Sequence, residues 1–265
     1  MKKFSLFAVL FTAALLGAES IEFNTKADFA RGTILAGSNC LRSFVPGVHV
    51  ESKKFAVDTQ KKYRLSGEFR AGKNSGGKIE SLYFGFVPFD ADGKQIMPEN
   101  VRPVNTGIFT LVQDVKAGDK VLKIKGDHRI INTPFIMAAF DAKNNLSDLP
   151  NYNLSPRMNH KSVKFADGII TVELIAPMTF DRPAGTPVRF HSLDAMHIYA
   201  AGKGAVLTDQ WQTLSGVISG EALRGAASDQ WWRGTKSAAV IFRYAGKAVS
   251  GGVIEFRNIK VELCQ

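Results

Sequence analysis

The stretch of sequence that decides the fold is Leu82-Tyr-Phe-Gly-Phe-Val-Pro-Phe89, and the turn-forming Asp90-Ala-Asp-Gly93 follows it directly. Successive side chains of an extended strand point to opposite faces, so Phe84 and Phe86 share one face and Tyr83 lies on the other. Alternation of this kind indicates a half-buried β-strand, and the turn residues predict a hairpin at its end.

The same alternation recurs along the chain, whereas helical periodicity is nearly absent. About twelve short segments of this kind, separated by turns rich in Gly, Asp and Asn, are typical of a sandwich or barrel. The 19 Phe and 24 Gly residues fit this class, because aromatic residues suit pleated sheets and Gly suits turns. Residues 141–166 are polar and irregular, so a long irregular insertion is expected there. The predicted fold class is all-β, an antiparallel β-sandwich with less than about 10% helix.

The N-terminus predicts export. Two lysines precede the apolar run Phe4–Leu16, and small residues follow it, which is the pattern of a secretory signal peptide. We predict cleavage after Ser20, with cleavage after Ala18 as the alternative. The apolar run is too short to span a bilayer, and no later run of about 18 apolar residues follows, so no transmembrane segment is expected. The predicted organisation is a signal peptide over 1–20 and a single β-sandwich domain over 21–265, in the periplasm or outside the cell.

The chain is basic, with 34 Lys and Arg residues against 24 Asp and Glu residues and a net charge of +10. Removing Lys2, Lys3 and Glu19 with the signal peptide lowers the net charge to +9. An exported protein seldom meets nucleic acid, so the expected partner is an acidic polysaccharide or an anionic cell-surface glycan. The alternative is that the charge serves only solubility.

The two cysteines, Cys40 and Cys264, lie near the two ends of the mature chain. An oxidising compartment permits a disulfide between them. Where the first and last strands of a sandwich are neighbours, this bond would close nearly the whole chain and contribute on the order of 5 kcal/mol. We predict the disulfide; the alternative is two free buried thiols.

Three segments occur in the order Lys62–Phe69, Trp211–Ile218 and the pair Ala239–Phe242 with Gly252–Val261. They resemble the early strand, the W-x-x-Y-S-G-x-F strand and the closing hairpin of the jelly-roll carbohydrate-binding modules of families 4 and 9 and their galactose-binding-like relatives. The resemblance implies a jelly-roll sandwich that binds polysaccharide without cleaving it. We further expect a monomer.

In that superfamily the last strand carries an Asp pair, the first of which helps to hold a structural calcium ion. Arg257 and Asn258 stand at these positions here, so the ion that the resemblance implies is not favoured by the residues present. No other metal site is predicted, because His191, Asp194 and His197 match no standard zinc spacing. No cofactor is expected to be required.

Trp231 and Trp232, with Arg233 beside them, are the first candidate ligand-binding residues. Aromatic faces stack on sugar rings, and flanking polar groups bind the hydroxyls. If this segment is extended, one indole points inward and the other outward. We therefore predict one buried Trp and one exposed sugar platform.

Arg189, His191, His197 and Tyr199 form the second candidate site. They fall on two adjacent predicted strands, and the spacing of two residues puts Arg189 with His191, and His197 with Tyr199, on common faces. Pairing of the two strands in a hairpin would join the four side chains into one polar, partly aromatic patch. The alternative is a purely structural role.

The sequence favours an exported protein that binds polysaccharide, with a preference for anionic glycans, and does not cleave it. It contains no serine-nucleophile motif G-x-S-x-G. It also has no tight acidic pair on one strand face, of the kind that retaining sandwich hydrolases carry. Tyr, His and Arg alone suffice for a polysaccharide lyase, so a lyase, before a glycoside hydrolase, is the alternative function. A structural or adhesive envelope protein held to an anionic surface is the third.

Overall fold

The computed structural model of the chain describes residues 20–45, 48–73, 75–104, 107–126, 135–246 and 252–264. Strands account for 51% of the protein and helices for 4%, which confirms the all-β prediction. Except for Ser20, the predicted signal peptide lies outside the described residues. In the part of the chain that the structure describes, no helix is long and apolar enough to cross a membrane.

The strands form three antiparallel sheets of six strands each. Sheet A contains β1 (Ser20–Phe23), β3 (Leu35–Ala36), β4 (Leu41–Phe44), β7 (Lys62–Ala71), β16 (Gln212–Ser219) and β18 (Val253–Cys264). Its strand order is β16-β7-β18-β4-β3, and β1 also pairs with β18.

Sheet B faces sheet A across the main core. It contains β2 (Phe29–Arg31), β5 (His49–Ser52), β6 (Phe55–Ala56), β8 (Lys78–Phe89), β15 (Ile198–Thr208) and β17 (Ser237–Tyr244). Its strand order is β15-β8-β17-β5-β2, and β6 also pairs with β17.

Sheets A and B are connected as a jelly roll. The chain passes from β4 in sheet A to β5 in sheet B, from β7 to β8, and later from β15 through β16 and β17 to β18. Without the short edge strands, the two sheets have the orders β16-β7-β18-β4 and β15-β8-β17-β5, which is the double Greek key of a jelly roll. The predicted β-sandwich is therefore confirmed.

Buried phenylalanines hold the two sheets of the sandwich together. Phe69 of sheet A contacts Phe84 of sheet B with ring centroids 4.8 Å apart, and Phe256 of sheet A contacts Phe242 of sheet B at 4.5 Å. All four side chains are fully buried. The alternation predicted for β8 is confirmed, because Phe84 points into the core while Tyr83 remains partly exposed on the outer face.

Sheet C lies in the connection between β8 and β15, which also contains the short helix α1 (Pro98–Val101). Its strands are β9 (Phe109–Leu111), β10 (Val121–Lys125), β11 (Ile136–Phe140), β12 (Lys164–Ala166), β13 (Ile169–Glu173) and β14 (Pro187–Ser192). Their order is β11-β14-β9-β10-β13-β12. Sheet C has an apolar cluster separate from that of the sandwich. The prediction of a single domain over 21–265 therefore stays a prediction.

The segment predicted to be irregular, 141–166, is only partly so. Residues 141–159 contain no helix or strand, but a 3-10 turn (His160–Ser162) and β12 occupy the rest. Isolated bridges pair Leu154 with Ala139 and Met158 with Leu174, so the loop is fastened to sheet C.

The two cysteines are not bonded, so the predicted disulfide is wrong. Cys40 precedes β4, whose first residue, Leu41, pairs with Phe256 of β18. Cys264 lies at the far end of β18, and a strand rises about 3.3 Å per residue, so the two cysteines are more than ~20 Å apart. A disulfide needs Cα atoms within about 7 Å. The first and last strands are neighbours, as expected, but their register separates the thiols.

Thiol titration checks this geometry. Purified protein that is denatured without a reductant should contain two titratable thiols per chain, because neither cysteine has a partner within bonding reach. Oxidation of the folded protein with a mild disulfide reagent should yield no intramolecular crosslink by mass spectrometry. A chain with no titratable thiol would contradict the register of β18 against β4.

Candidate functional site

Both indoles of the Trp231–Trp232 pair are fully buried. Trp231 packs against Phe86 with ring centroids 4.9 Å apart, and the indole N–H of Trp232 donates to the Ala227 carbonyl at 2.9 Å. The chain turns directly after the pair, because the Thr235 N–H donates back to the Trp232 carbonyl. Strand alternation therefore does not apply here, and the prediction that one indole is an exposed sugar platform is wrong.

Arg233 is partly exposed and donates from Nη1 to the Leu223 carbonyl at 3.2 Å. Since both neighbouring indoles are buried, this guanidinium has no exposed aromatic face beside it. A ligand contact by Arg233 therefore stays a prediction, without the neighbouring indole that was expected to support it.

Arg189 is fully buried and forms the centre of a polar cluster under the irregular loop. Its Nη2 donates to Asp148 Oδ2 at 2.6 Å, and its Nη1 donates to the Lys143 carbonyl at 3.0 Å. Although burial raises the pKa of Asp148, hydrogen bonds from Asn151 and Arg189 bring it below its usual value. This buried ion pair fastens the loop to β14.

His191 extends the cluster to helix α1. Arg189 Nε donates to His191 Nε2 at 3.0 Å, and His191 Nδ1 lies 2.6 Å from the Glu99 carbonyl oxygen. Because an arginine nitrogen only donates, Nε2 accepts, and Nδ1 carries the proton and donates to the Glu99 carbonyl oxygen. Burial, together with the adjacent Arg189, lowers the pKa of His191 to about 4, although the bond to Glu99 opposes the shift. The imidazole is therefore a neutral bridge between three segments.

The predicted hairpin between the two halves of the second candidate site does not form. Arg189 and His191 lie on β14 of sheet C, which pairs with β11 and β9, whereas Tyr199 lies on β15 of sheet B, which pairs with β8. Each same-face pair is present, with His197 Nδ1 3.2 Å from the Tyr199 hydroxyl. The four residues nevertheless belong to two different clusters.

Gly85 brings His197 and Tyr199 to the outer face of sheet B. The Ile198 carbonyl lies so close to Gly85 that a Cβ there would overlap it. The β15–β8 register is also interrupted between Ile198 and Gly202, as at a β-bulge, which redirects side chains. The start of β15 therefore crosses the sheet face closely enough to present both polar side chains there.

A hollow of about 430 Å³ lies beside these residues on the outer face of sheet B. We call it the sheet B groove, and its polar lining consists of Arg31, His49, Glu51, Gln95, His197 and Arg243. A second hollow of about 300 Å³, which includes Tyr199 and Lys203, adjoins it and shares His197.

Register places four side chains in one row along this face. His49 of β5 pairs with Arg243 of β17, Arg243 pairs with Tyr83 of β8, and Tyr83 pairs with Lys203 of β15. With strands about 4.8 Å apart, the row spans roughly 14 Å. Tyr83 lies between the two cationic residues in this row, and its ring is 4.8 Å from that of Tyr199. Cations and aromatic rings thus lie next to each other on this face.

The charges of the groove are unevenly paired. Glu51 Oε1 lies 2.6 Å from His49 Nε2 and 3.6 Å from Arg31 Nη1. Arg243 and Lys203 form no ion pair with any described residue. Uncompensated positive charge therefore concentrates on β17 and β15.

His197 and Tyr199 form a hydrogen-bonded pair next to Arg243. Burial, and then the charges of His49, Arg243 and Arg31, lower the pKa of His197 to about 4. Its Nε2 lies 3.3 Å from Gln95 Nε2, which only donates, so Nδ1 carries the proton and donates to the Tyr199 hydroxyl.

Burial raises the pKa of Tyr199, and the positive charge of Arg243 only partly opposes the shift. The hydroxyl therefore keeps its own proton, which is available to a ligand in the adjoining hollow.

The residues at the calcium position implied by the resemblance do not fit a calcium ion. Arg257 Nε donates to Glu68 Oε2 at 2.7 Å, and Asn258 Nδ2 donates to Glu68 Oε1 at 2.9 Å. The guanidinium thus occupies the place of a cation beside this carboxylate. Within the described ranges, no group of three or more His, Cys, Asp and Glu residues could hold a metal ion.

Sequence reasoning missed His49, Arg243 and Tyr83 as site residues. Alternation does place Tyr83 and Arg243 opposite the core residues Phe84 and Phe242. What a single sequence does not give is that β5, β17 and β8 are neighbours in one sheet. That adjacency joins three side chains that are far apart in the chain.

The Arg189 cluster predicts a large loss of stability when its cation is removed. Arg189→Leu leaves Asp148 buried without a counter-charge, so the free energy of unfolding should fall by about 3–5 kcal/mol in urea denaturation. The matched control is Lys78→Ala, because Lys78 and Glu80 form an ion pair whose side chains are 57% and 62% exposed. That change should cost at most about 1 kcal/mol. Equal losses of stability in the two variants would contradict the proposal that the buried Arg189–Asp148 ion pair fastens the loop.

The two buried histidines predict a loss of stability in weak acid. Each imidazole takes up a proton below pH 6.5 when the chain is unfolded, but only near pH 4 when it is folded. The unfolded state thus binds more protons in this window, and the free energy of unfolding should fall as the pH falls from 6.5 to 4. His191→Gln should reduce the slope by up to about 1.4 kcal/mol per pH unit. The exposed His160→Gln is the control, and an equal effect there would contradict the assignment.

Comparisons with known proteins identify no match: no protein-family model, no curated protein and no solved structure matches this chain. The resemblance to jelly-roll carbohydrate-binding modules therefore stays a prediction that rests on the quoted segments.

Proposed function

We propose that the protein is exported and binds an acidic polysaccharide in the sheet B groove without cleaving it. The observation that carries the proposal is Arg243, a cation with no described carboxylate partner, in a groove beside aromatic side chains. A carboxylate or sulfate on a sugar would supply the missing counter-charge. Charge-assisted hydrogen bonds of this kind are about twice as strong as neutral ones.

The aromatic side chains beside the groove suit a sugar ring. Tyr83 is partly exposed between Arg243 and Lys203 in the cross-strand row, so an apolar ring face can contact it while acidic groups reach the cations. The Tyr199 hydroxyl is a donor at the same place. This combination of cation, aromatic ring and hydroxyl supports an anionic glycan over a neutral one.

A polysaccharide lyase is the second candidate, and the position of Tyr199 beside His197 and near the charge of Arg243 favours it. In β-elimination a base takes the proton from C5 of a uronate, a C4=C5 double bond forms, and the C4–O4 bond breaks. The departing O4 then takes a proton, which Tyr199 is placed to give, while Arg243 neutralises the carboxylate. Because burial raises its pKa, Tyr199 stays protonated and suits the role of the acid rather than that of the base.

A glycan array with polyuronates, sulfated glycans and neutral glucans tests the proposal. The protein should prefer the anionic chains, and its affinity should fall with salt, because screening at physiological ionic strength acts over about 8 Å. Arg243→Gln should weaken binding by about tenfold or more, since a hydrogen bond to a charged group contributes about 1.5–3 kcal/mol.

The matched control is Arg64→Gln, which removes the same charge from an exposed position on sheet A. Equal weakening by both variants would show that net charge rather than the groove binds the glycan. Incubation of each bound glycan should yield no ultraviolet-absorbing unsaturated product; such a product would establish the lyase. If no glycan on the array binds, both candidate functions are overturned and a structural envelope protein is favoured.

A further inference from the structure

We infer that binding of an acidic polysaccharide in the sheet B groove is coupled to the uptake of a proton by His197. The groove should therefore hold its ligand more tightly in weak acid than at neutral pH. The inference deepens the proposed function and rests on it, because it assigns the regulation of the same site. The observation behind it is the place of His197 in the wall between the groove and the adjoining hollow.

His197 is surrounded by cationic side chains that come from three other strands. Its ring lies edge-on to that of His49 of β5, with the ring centroids 6.0 Å apart. Arg31 of β2 and Arg243 of β17 line the same groove. The His197 side chain is almost fully buried, so little water screens these charges. A positive charge on His197 is therefore opposed both by burial and by its neighbours.

Other charged and titratable groups also line the two hollows around His197. In the groove they are Glu51 and Tyr244. In the adjoining hollow they are Asp194, Tyr199, Lys203 and Asp229. Glu51 is already bound by two of the groove cations, and Asp194 Oδ2 lies 2.8 Å from Arg102 Nη1. These carboxylates leave Arg243 without an ion-pair partner among the described residues.

A bound anion shifts this balance in favour of the charged imidazole. A carboxylate or sulfate that approaches Arg243 brings negative charge into the groove that His197 lines. An opposite charge nearby favours the charged form of an ionisable group, so the pKa of His197 should rise from about 4 when the anion binds. Coupling of this kind is reciprocal, so a protonated His197 strengthens anion binding by the same factor.

The hydrogen bonds around the His197 ring can accommodate the extra proton. In the neutral form Nδ1 donates to the Tyr199 hydroxyl, and Nε2 lies 3.3 Å from the Gln95 amide nitrogen. An imidazolium donates from both nitrogens, so the Gln95 amide has to turn its oxygen towards Nε2. Gln95 lines the groove and is only partly buried, so this rotation requires no change in the strands.

NMR titration of the histidine ring protons tests the inference, with a heparin hexasaccharide as the probe because its sulfate groups stay ionised in weak acid. Once assigned by triple-resonance methods, the His197 signal of the free protein should begin to move only as the pH approaches 4. In the complex the same signal should move at a higher pH. Affinity should be about threefold or more higher at about pH 5 than at about pH 7.5, since each unit of pKa shift corresponds to up to tenfold in affinity.

His49 is the other histidine of the groove, and variants separate the two. His197→Gln should remove most of the pH dependence of the affinity, whereas His49→Gln should weaken binding but retain most of that dependence. The exposed His160→Gln is the control and should match the unaltered protein. A pH dependence that is lost in His49→Gln and unchanged in His197→Gln would assign the proton to His49 and overturn the inference.

The same measurements separate the inference from the proposed function. If the hexasaccharide binds and the His197 signal titrates as in the free protein, the inference is wrong and the groove remains the anion site. If the hexasaccharide does not bind at any pH in this range, or binds Arg243→Gln as tightly as the unaltered protein, both are wrong, because both require an anion in the groove.

Discussion

The register of the phenylalanine core is the constraint on which both surfaces of the sandwich depend. The rings that join the two sheets belong to Phe69, Phe84, Phe242 and Phe256. Their sequence neighbours on the outer faces are Glu68, Tyr83, Arg243 and Arg257. Because side chains alternate, a slip of one residue would carry a ring to the solvent and its polar neighbour into the core. Burial of four aromatic rings thus fixes where the polar groups stand on the outer faces of both sheets.

The local part of this structure could be predicted from the sequence, and the pairing of distant strands could not. Period-two alternation correctly placed Arg189 with His191 and His197 with Tyr199, and each pair is joined by a direct contact. The hairpin that was expected to unite them is absent, because β14 and β15 enter different sheets. Alternation describes one strand at a time and does not identify its neighbours.

The burial of both Trp231 and Trp232 is a second feature that alternation could not predict. The prediction of one exposed indole assumed an extended chain, but the segment turns at Trp232–Thr235 and buries both rings. The predicted disulfide is wrong for a related reason. Cys40 and Cys264 do lie at neighbouring strands of sheet A, yet the antiparallel register puts them far apart along those strands. Neither the turn nor the register is encoded by the residue types alone.

Pairing, more than the number of charges, decides which face attracts an anion. Two arginines of sheet A are neutralised locally, since Arg42 and Arg70 lie 2.8 and 2.6 Å from the two oxygens of Glu255. On sheet B a single carboxylate, Glu51, lies between His49 and Arg31 and leaves Arg243 without a described counter-charge. The net charge of +10 would attract anions to the whole molecule from a distance. Close contact is different, because a bound anion gains most where a cation has no other partner. This difference in pairing is the reason to expect an acidic ligand in the groove.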